Sequence, residues 1–464
     1  MKIEFLNKLK LQSSNVSCLQ NRIKYFFGFY FLANVIAVFS NIYLSSYFNY
    51  KLTESMSEIT QDQWCKSPTQ GLGLHCFSDF YYALPYVNLP HPWAAGVNST
   101  TPTMPPFGLF IFKPWSFLVE QFPNSNFILM IYLALLFISV QIPALHLFIS
   151  NRVSGITFIC MTGISIIAGP FIVGMDRGNF MLFCVPLLYF FYLGYLEGNH
   201  KMLLIASVLL ILLKPHMILL GLIFLADRHW KQFFKWLSIV VSTSLLTFLL
   251  YPNNLVRNIF DYALQLSNYQ HYRAQGKLFP VNVSFSNTVS LLTGFFWEKQ
   301  FPSYYVPLIS LLILIISITS LLIIGRRRPP IVNILLITCL PILAPGVSFN
   351  YYLTLLLVPF LFIIKDFSAE YSKRSKSLFI NEMNTGSNIL FTTRYHAILL
   401  SLTYILLFVP WSIPWFLAAP SIHGSRPMVT SVNWAAGQLT LLIYFCTLLI
   451  FKVDSPQHQT QDRK

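Results

Sequence analysis

MLLIASVLLILLKPHMILLGLIFLA, residues 202–226, decides how everything after it is oriented. Its length and apolarity suit one membrane span. Lys214-Pro215-His216 sits in its middle. Proline removes a backbone donor and clashes with the preceding turn, and a lysine at mid-bilayer is costly. Two short helices, Leu203–Leu213 and Met217–Ala226, avoid both problems. Each rises only ~17 Å, too little to cross a ~30 Å hydrocarbon core. The pattern therefore predicts a hairpin whose tip stays inside the protein, since broken helices at membrane depth are tolerated where they line a cavity. Read as one span, the segment inverts everything downstream.

The rest of the chain fits this frame. Of 464 residues, 55% are hydrophobic and only 10% charged. A soluble domain carries about a quarter charged residues. Soluble, disordered and disulfide-scaffold classes are thereby excluded, and a polytopic all-α membrane protein remains. A basic arm, 1–24, precedes a first span, Tyr25–Leu44, read as an uncleaved anchor with a cytoplasmic N-terminus. A long first outer loop, 45–106, comes next, and then Phe107–Phe122, interrupted by Lys113-Pro114 and placed at the outer interface. Spans are expected at Phe127–Ser150, Val153–Val173 and Phe180–Leu196 before the hairpin. After it come Trp236–Tyr251, an outer loop at 252–303, Tyr304–Ile324, Ile331–Val347 and Tyr351–Ile364. The core is thus 25–364, succeeded by a cytoplasmic loop, 365–395, C-terminal helices within 396–452 and a cytoplasmic tail, 453–464. The sum is about 11–12 transmembrane helices.

Charge supports the layout. The net charge of +15 comes from 31 Lys plus Arg against 16 Asp plus Glu. About two-thirds of the basic residues fall on cytoplasmic segments, while the acids divide evenly, as the positive-inside rule expects. Orientation accounts for the excess, so no nucleic-acid partner is needed.

The outer face holds the candidates for chemistry. Asp79, in Cys76-Phe77-Ser78-Asp79-Phe80-Tyr81-Tyr82, is either a helix-capping acid or a base for a hydroxyl. In Asp176-Arg177-Gly178-Asn179, Asp176 either caps the next helix or pairs with Arg177, and Arg177 is suited to a phosphate. Lys214, inside an apolar segment, is a functional candidate by default, able to hold a phosphate as a point charge; the alternative is snorkelling to the interface, which the adjacent helix-breaking proline disfavours. His216 is read as a polar helix-end residue. The loop 252–303 holds Arg257, Asp261, His271, Arg273 and Lys277, as a solvated loop or as a polar lid; its segment Val283–Phe296 is amphipathic enough to lie at the interface. Ser348-Phe349-Asn350-Tyr351-Tyr352 is either an aromatic belt or a sugar-site lining. Cys65 and Cys76 are the cysteines of the outer loops and can form a disulfide in an oxidising compartment. Asn98-Ser99-Thr100 and Asn282-Val283-Ser284 are outer-side glycosylation sequons, usable only in a eukaryotic secretory route or an equivalent bacterial one. Zinc spacing, a phosphate-binding Gly-rich loop and a serine nucleophile elbow are all missing from the sequence.

Five patterns in order resemble the polyprenyl-phosphate-dependent membrane glycosyltransferases of the GT-C fold, and more narrowly family 87, which includes mycobacterial mannosyl- and arabinofuranosyltransferases. They are Ser78-Asp79-Phe80-Tyr81-Tyr82; Met104-Pro105-Pro106-Phe107 with Lys113-Pro114; Arg177-Gly178-Asn179 before Phe180; Lys214-Pro215 with the basic stop Asp227-Arg228-His229-Trp230-Lys231; and Ala344-Pro345-Gly346-Val347-Ser348-Phe349-Asn350-Tyr351-Tyr352. Departures are Met104 for the tyrosine of Tyr-Pro-Pro, no glutamine ahead of Asn179, and Phe349 and Asn350 at Trp and His-like positions. The resemblance implies a GT-C-like bundle, a polyprenyl-phosphate sugar donor, a lipid- or glycan-linked acceptor and transfer with inversion. It implies Asp79 as base, with Lys214, Arg177, Arg257 and Arg273 as donor-phosphate ligands. Asp176, Asn179, His216, Asn350 and Tyr351 are then the substrate contacts. No metal or other cofactor is expected, and the expected setting is a bacterial plasma membrane with an extracytoplasmic site. A transporter or lipid-linked sugar flippase is the rival reading, since it also needs broken helices and buried charge; a non-catalytic lipid-binding scaffold is a third.

Overall fold

In a computed structural model, the chain is described at residues 28–40, 42–43, 77–94, 102–122, 126–251, 254–274, 282–289, 305–324, 330–345, 348–365, 394–409, 437–441 and 443. Among these residues the protein is all-helical, with one isolated antiparallel bridge, Asn282 to Phe349. It is an all-α polytopic membrane protein. The basic arm, Cys65, Cys76, the Asn98 sequon, Lys277 and the loop beyond 365 lie outside the described residues.

Asn126–Ile149 and Trp230–Leu250 are long and apolar enough to cross a bilayer. The exposed side chains along the first, such as Phe127, Met130, Ile138 and Ile149, are apolar, as a lipid-facing surface requires. Its inner side carries Tyr132, Leu136 and Val140 into the core. The expected single span Val153–Val173 is instead two helices, Gly155–Ile167 and Gly169–Asp176, bent by 57°. Ala168 leaves the helical region there (ψ 123°), just ahead of Gly169-Pro170. The bend matters because the second helix ends at the Asp176–Asn179 turn. The further apolar helices, Phe180–Leu196, His200–Leu213, Pro215–Ala226, Pro307–Leu322 and Pro330–Leu343 among them, are shorter.

The hairpin expected at Lys214 is present. His200–Leu213 stops at Lys214, whose backbone is extended (φ −144°, ψ 98°), and Pro215–Gly221 and Leu222–Ala226 come after it. On one continuous helix residues 207 and 221 would lie about 21 Å apart. Here both touch Trp236. Its Nε1 donates to Ser207 Oγ (2.9 Å), and a Cβ added at Gly221 would fall 2.1 Å from its ring. The two limbs therefore lie side by side, and Gly221 is needed so that the indole can come that close. The tip is braced by Pro106–Phe110, where a Cβ at Gly108 would stand 3.2 Å from the Leu213 carbonyl. The Phe107–Phe122 stretch is thus a broken pair of short helices with Leu109 and Phe112 fully buried, not a wholly interfacial helix.

Candidate functional site

Two chain reversals make the site. The first ends Gly169–Asp176. Gly178 N–H donates to Met175 O (3.0 Å) and Asn179 N–H to Gly174 O (2.9 Å), the paired bonds of a Schellman ending. Gly178 has φ +61°, which glycine adopts without steric cost. Its carbonyl accepts from Tyr132 Oη (3.0 Å), which ties the turn to the long Asn126–Ile149 helix. Asn179, not Asp176, caps the helical turn starting at Phe180, its Oδ1 accepting from Met181 N (2.8 Å). Asp176 is the buried last residue of its helix.

This turn reaches Asp79. Arg177 Nε donates to Asp79 Oδ2 (2.8 Å) and Arg177 Nη2 to Asp79 Oδ1 (2.7 Å), a two-point fork. Asn179 Nδ2 adds a third bond to Oδ2 (2.7 Å). Asp79 N–H also donates to the Arg177 carbonyl (3.0 Å). Arg177 therefore pairs with Asp79, not with its sequence neighbour Asp176 as one reading of the turn had it. Asp79 stands in the first turn of Ser78–Ala83 and caps nothing; that helix starts after Phe77, a non-glycine residue at φ 47°. Such a backbone costs about 1–3 kcal/mol and persists only when its surroundings hold it. Here the buried Phe77 and the stack of Phe80 on Tyr132 (4.5 Å) do so. Burial works to raise the Asp79 pKa. The Arg177 guanidinium, the hydrogen bonds from Arg177 and Asn179, and the charge of Lys214 outweigh it and hold the carboxyl below the usual carboxylate range.

The second reversal brings Lys214 to the same place. Its Nζ stands 4.1 Å from the Phe180 ring centroid and 5.3 Å from that of Tyr352. Among the described residues it makes no ion pair. Between Lys214 and Arg177 runs a row of rings. Phe349 stacks on Tyr351 (5.4 Å), Tyr351 on Tyr352 (5.1 Å), and His216 leans on Tyr352 (5.1 Å). Arg177 closes the far end, 5.7 Å from Phe349 and 6.0 Å from Tyr351. Three buried polar atoms in this neighbourhood, His216 Nε2, Ser348 Oγ and Asn350 Nδ2, have no partner among the described residues. Buried polar atoms are nearly always paired, so these three call for partners from beyond the described residues, from water or from a ligand. The arrangement offers a carboxylate, two cations and orphaned polar groups on an aromatic wall. No three metal-ligating side chains cluster among the described residues.

Asp79, Arg177, Asn179, Lys214, His216, Asn350 and Tyr351 thus come together from separated segments of the chain. Arg257 does not join them. It is 65% exposed and faces Asp261 at 3.6 Å, one turn along the Leu255–Ala274 helix. Arg273 is in that helix's last turn, its side chain outside the described part. Asn282 was missed. Its sequon suggested a surface glycan site, yet it is 5% exposed and its Oδ1 accepts from Ser284 N (3.0 Å) and Ser348 N (2.8 Å). With Val283 N–H donating to Ser348 O, it clips the Ser348–Tyr352 block in place. Residues 282–284 and 286–288 are buried or nearly so, so the start of the Val283–Phe296 segment is not interfacial. Nothing local distinguished this asparagine from an ordinary sequon.

No curated protein matches the chain. The family model for glycosyltransferase family 87 matches residues 103–345, just over half of the chain. That stretch carries Arg177, Asn179, Lys214 and His216; Asp79 precedes it and Asn350 and Tyr351 lie beyond it. The chain belongs to glycosyltransferase family 87.

Proposed function

We propose that this membrane glycosyltransferase takes its sugar from a polyprenyl-phosphate donor and passes it, with inversion, to a hydroxyl of a lipid- or glycan-linked acceptor at the outer face of a bacterial plasma membrane. The observation that carries this reading is the Asp79 carboxylate, gripped by the Arg177 fork, with the Lys214 ammonium close enough to act on its charge. A base and an anion-binding pair are what the reaction demands. The acceptor oxygen attacks the anomeric carbon and its proton passes to Asp79. The bond from that carbon to the phosphate oxygen breaks, and the leaving polyprenyl phosphate carries the negative charge away. Fixed cations aimed at that charge supply most of the catalysis in such a transfer.

The fork has a consequence for the order of events. Both Asp79 oxygens are occupied by Arg177. The donor phosphate competes for the same guanidinium, so donor binding draws Arg177 away and leaves the carboxylate open to the acceptor. His216, Asn350 and Tyr351 are the sugar-side contacts, and Asp176 backs the turn. The aromatic wall suits the apolar face of a sugar ring.

The test is Asp79→Asn, reconstituted in proteoliposomes with radiolabelled polyprenyl-phosphate sugars. Proton-transfer catalysts contribute about 10²–10⁴-fold, and a loss of that size is expected. Transfer at the wild-type rate would remove Asp79 as base. Sugar or lipid crossing the bilayer with no new glycosidic bond would establish transport instead.

A further inference from the structure

The Leu255–Ala274 helix leaves an apolar stripe uncovered. Its inner face is mixed: Asn258, Tyr262 and Gln265 are buried, and Ile259 and Leu266 pack against the core beside them. Its opposite face carries Val256 (75% exposed), Phe260 (65%) and Leu264 (46%). A helix bordered by water does the reverse and buries its apolar stripe. The orientation is held by specific bonds. Asn258 Nδ2 donates to Tyr251 O (3.0 Å), Asn258 Oδ1 meets His91 Nδ1 (3.1 Å), and Trp93 packs edge-on against Tyr262 (5.6 Å). Rotating the helix to hide Phe260 would break them all and bring Asn258 and Gln265 out.

The apolar stripe therefore needs an apolar neighbour, and its position names one. The helix starts directly after the span Trp230–Leu250, with only residues 251–254 between. Its first turn must lie at the membrane face where that span ends. Exposed apolar residues run on from the span, Leu246 (60%) and Leu249 (58%), into Val256. Arg257 is exposed beside Val256, where a long cationic side chain reaches lipid phosphates. We infer that the Leu255–Ala274 helix lies in the membrane interface with Val256, Phe260 and Leu264 among the lipid acyl chains. Lipid, not a second copy of the chain, covers this face. Tyr262 and Tyr269, on the inner face, stand near Tyr352 of the site. The helix is then the partition between bilayer and site; this last role rests on the site reading, whereas the lipid contact does not.

Photo-crosslinking tests it without any assay of transfer. p-Benzoylphenylalanine replaces Val256, Phe260, Leu264 or, on the inner face, Tyr269 in the full chain, reconstituted in phosphatidylcholine nanodiscs. After irradiation, intact-mass spectrometry should show a gain of one phosphatidylcholine at 256, 260 and 264 and none at 269. A lipid adduct at 269 equal to that at 260, no lipid adduct at 260, or a crosslinked dimer from 260 would each overturn it. The outer positions are exposed and Tyr269 is only partly buried, so all four variants are placed to fold.

Discussion

The Asp176–Asn179 turn and the Lys214–His216 break each interrupt an apolar stretch with a cation, and they finish differently. In the turn, both ends of the backbone reversal are hydrogen-bonded and Arg177 is matched to a carboxylate. At the break, Lys214 rests on rings, Pro215 offers no N–H, and His216 Nε2 is buried without a partner among the described residues. One reversal is satisfied within the protein. The other leaves a buried polar group unmatched among the described residues. On the proposed reading the first holds the base at rest, and the second offers its charge to the donor.

Substitutions can break that contrast. Lys214→Met should cost transfer about 10²–10³-fold, the usual loss when one charge-stabilising donor is removed. It should leave thermal stability unchanged, because exchanging a buried charge for an apolar side chain is often neutral. A fall in melting temperature with intact kinetics would place Lys214 in the scaffold. Arg177→Met should do the opposite to stability, with a loss of about 3 kcal/mol, since it strands the Asp79 carboxylate. Adding Asp79→Asn to Arg177→Met should then cost less than the sum of the two single changes in chemical denaturation. Strict additivity would deny the pair its coupling. Gly178→Ala should cost about 1 kcal/mol from the left-handed backbone. The new Cβ also meets Phe80 Cβ at 3.0 Å, so the loss should exceed that of Gly198→Ala, where φ is +67° and the surroundings are open. Equal losses would show that backbone conformation alone matters there.

The smallest effect is that of pH. The folded-state pKa of Asp79 is depressed by its partners. Its contribution to stability is therefore fully present above the unfolded carboxyl value of about 3.9 and is lost as pH falls through the lower folded value. Melting curves of wild type and Asp79→Asn should run a constant distance apart from about pH 5 to 8 and converge only under stronger acid. Convergence near neutrality would contradict the low pKa.

The hairpin was legible because its signals are local. Lysine and proline in an apolar run are visible in a dozen residues, and so are the apolar runs of Asn126–Ile149 and Trp230–Leu250. Asp79, Arg177 and Lys214 stood out as ionisable residues in apolar settings. Their grouping was less legible. Asp79 and Arg177 are 98 positions apart, and nothing nearby indicates that the arginine passes over Asp176 to reach the more distant acid. Interfacial segments are expected from sequence at Phe107–Phe122 and Val283–Phe296, not at Leu255–Ala274. Residues 252–303 read as a loop in sequence, and only packing shows which side of the Leu255–Ala274 helix is buried.

Membrane class, the breaks in the chain and the short list of acids were set by the sequence itself. Hydropathy, proline's missing donor and the cost of a buried charge act over a turn or two of helix. Tertiary structure decided which acid meets which cation, that Asn282 is a clip and not a glycan site, and which way the Leu255–Ala274 helix faces. Those outcomes depend on side chains from distant segments competing for the same buried donors and acceptors, and that competition is resolved only when the helices pack.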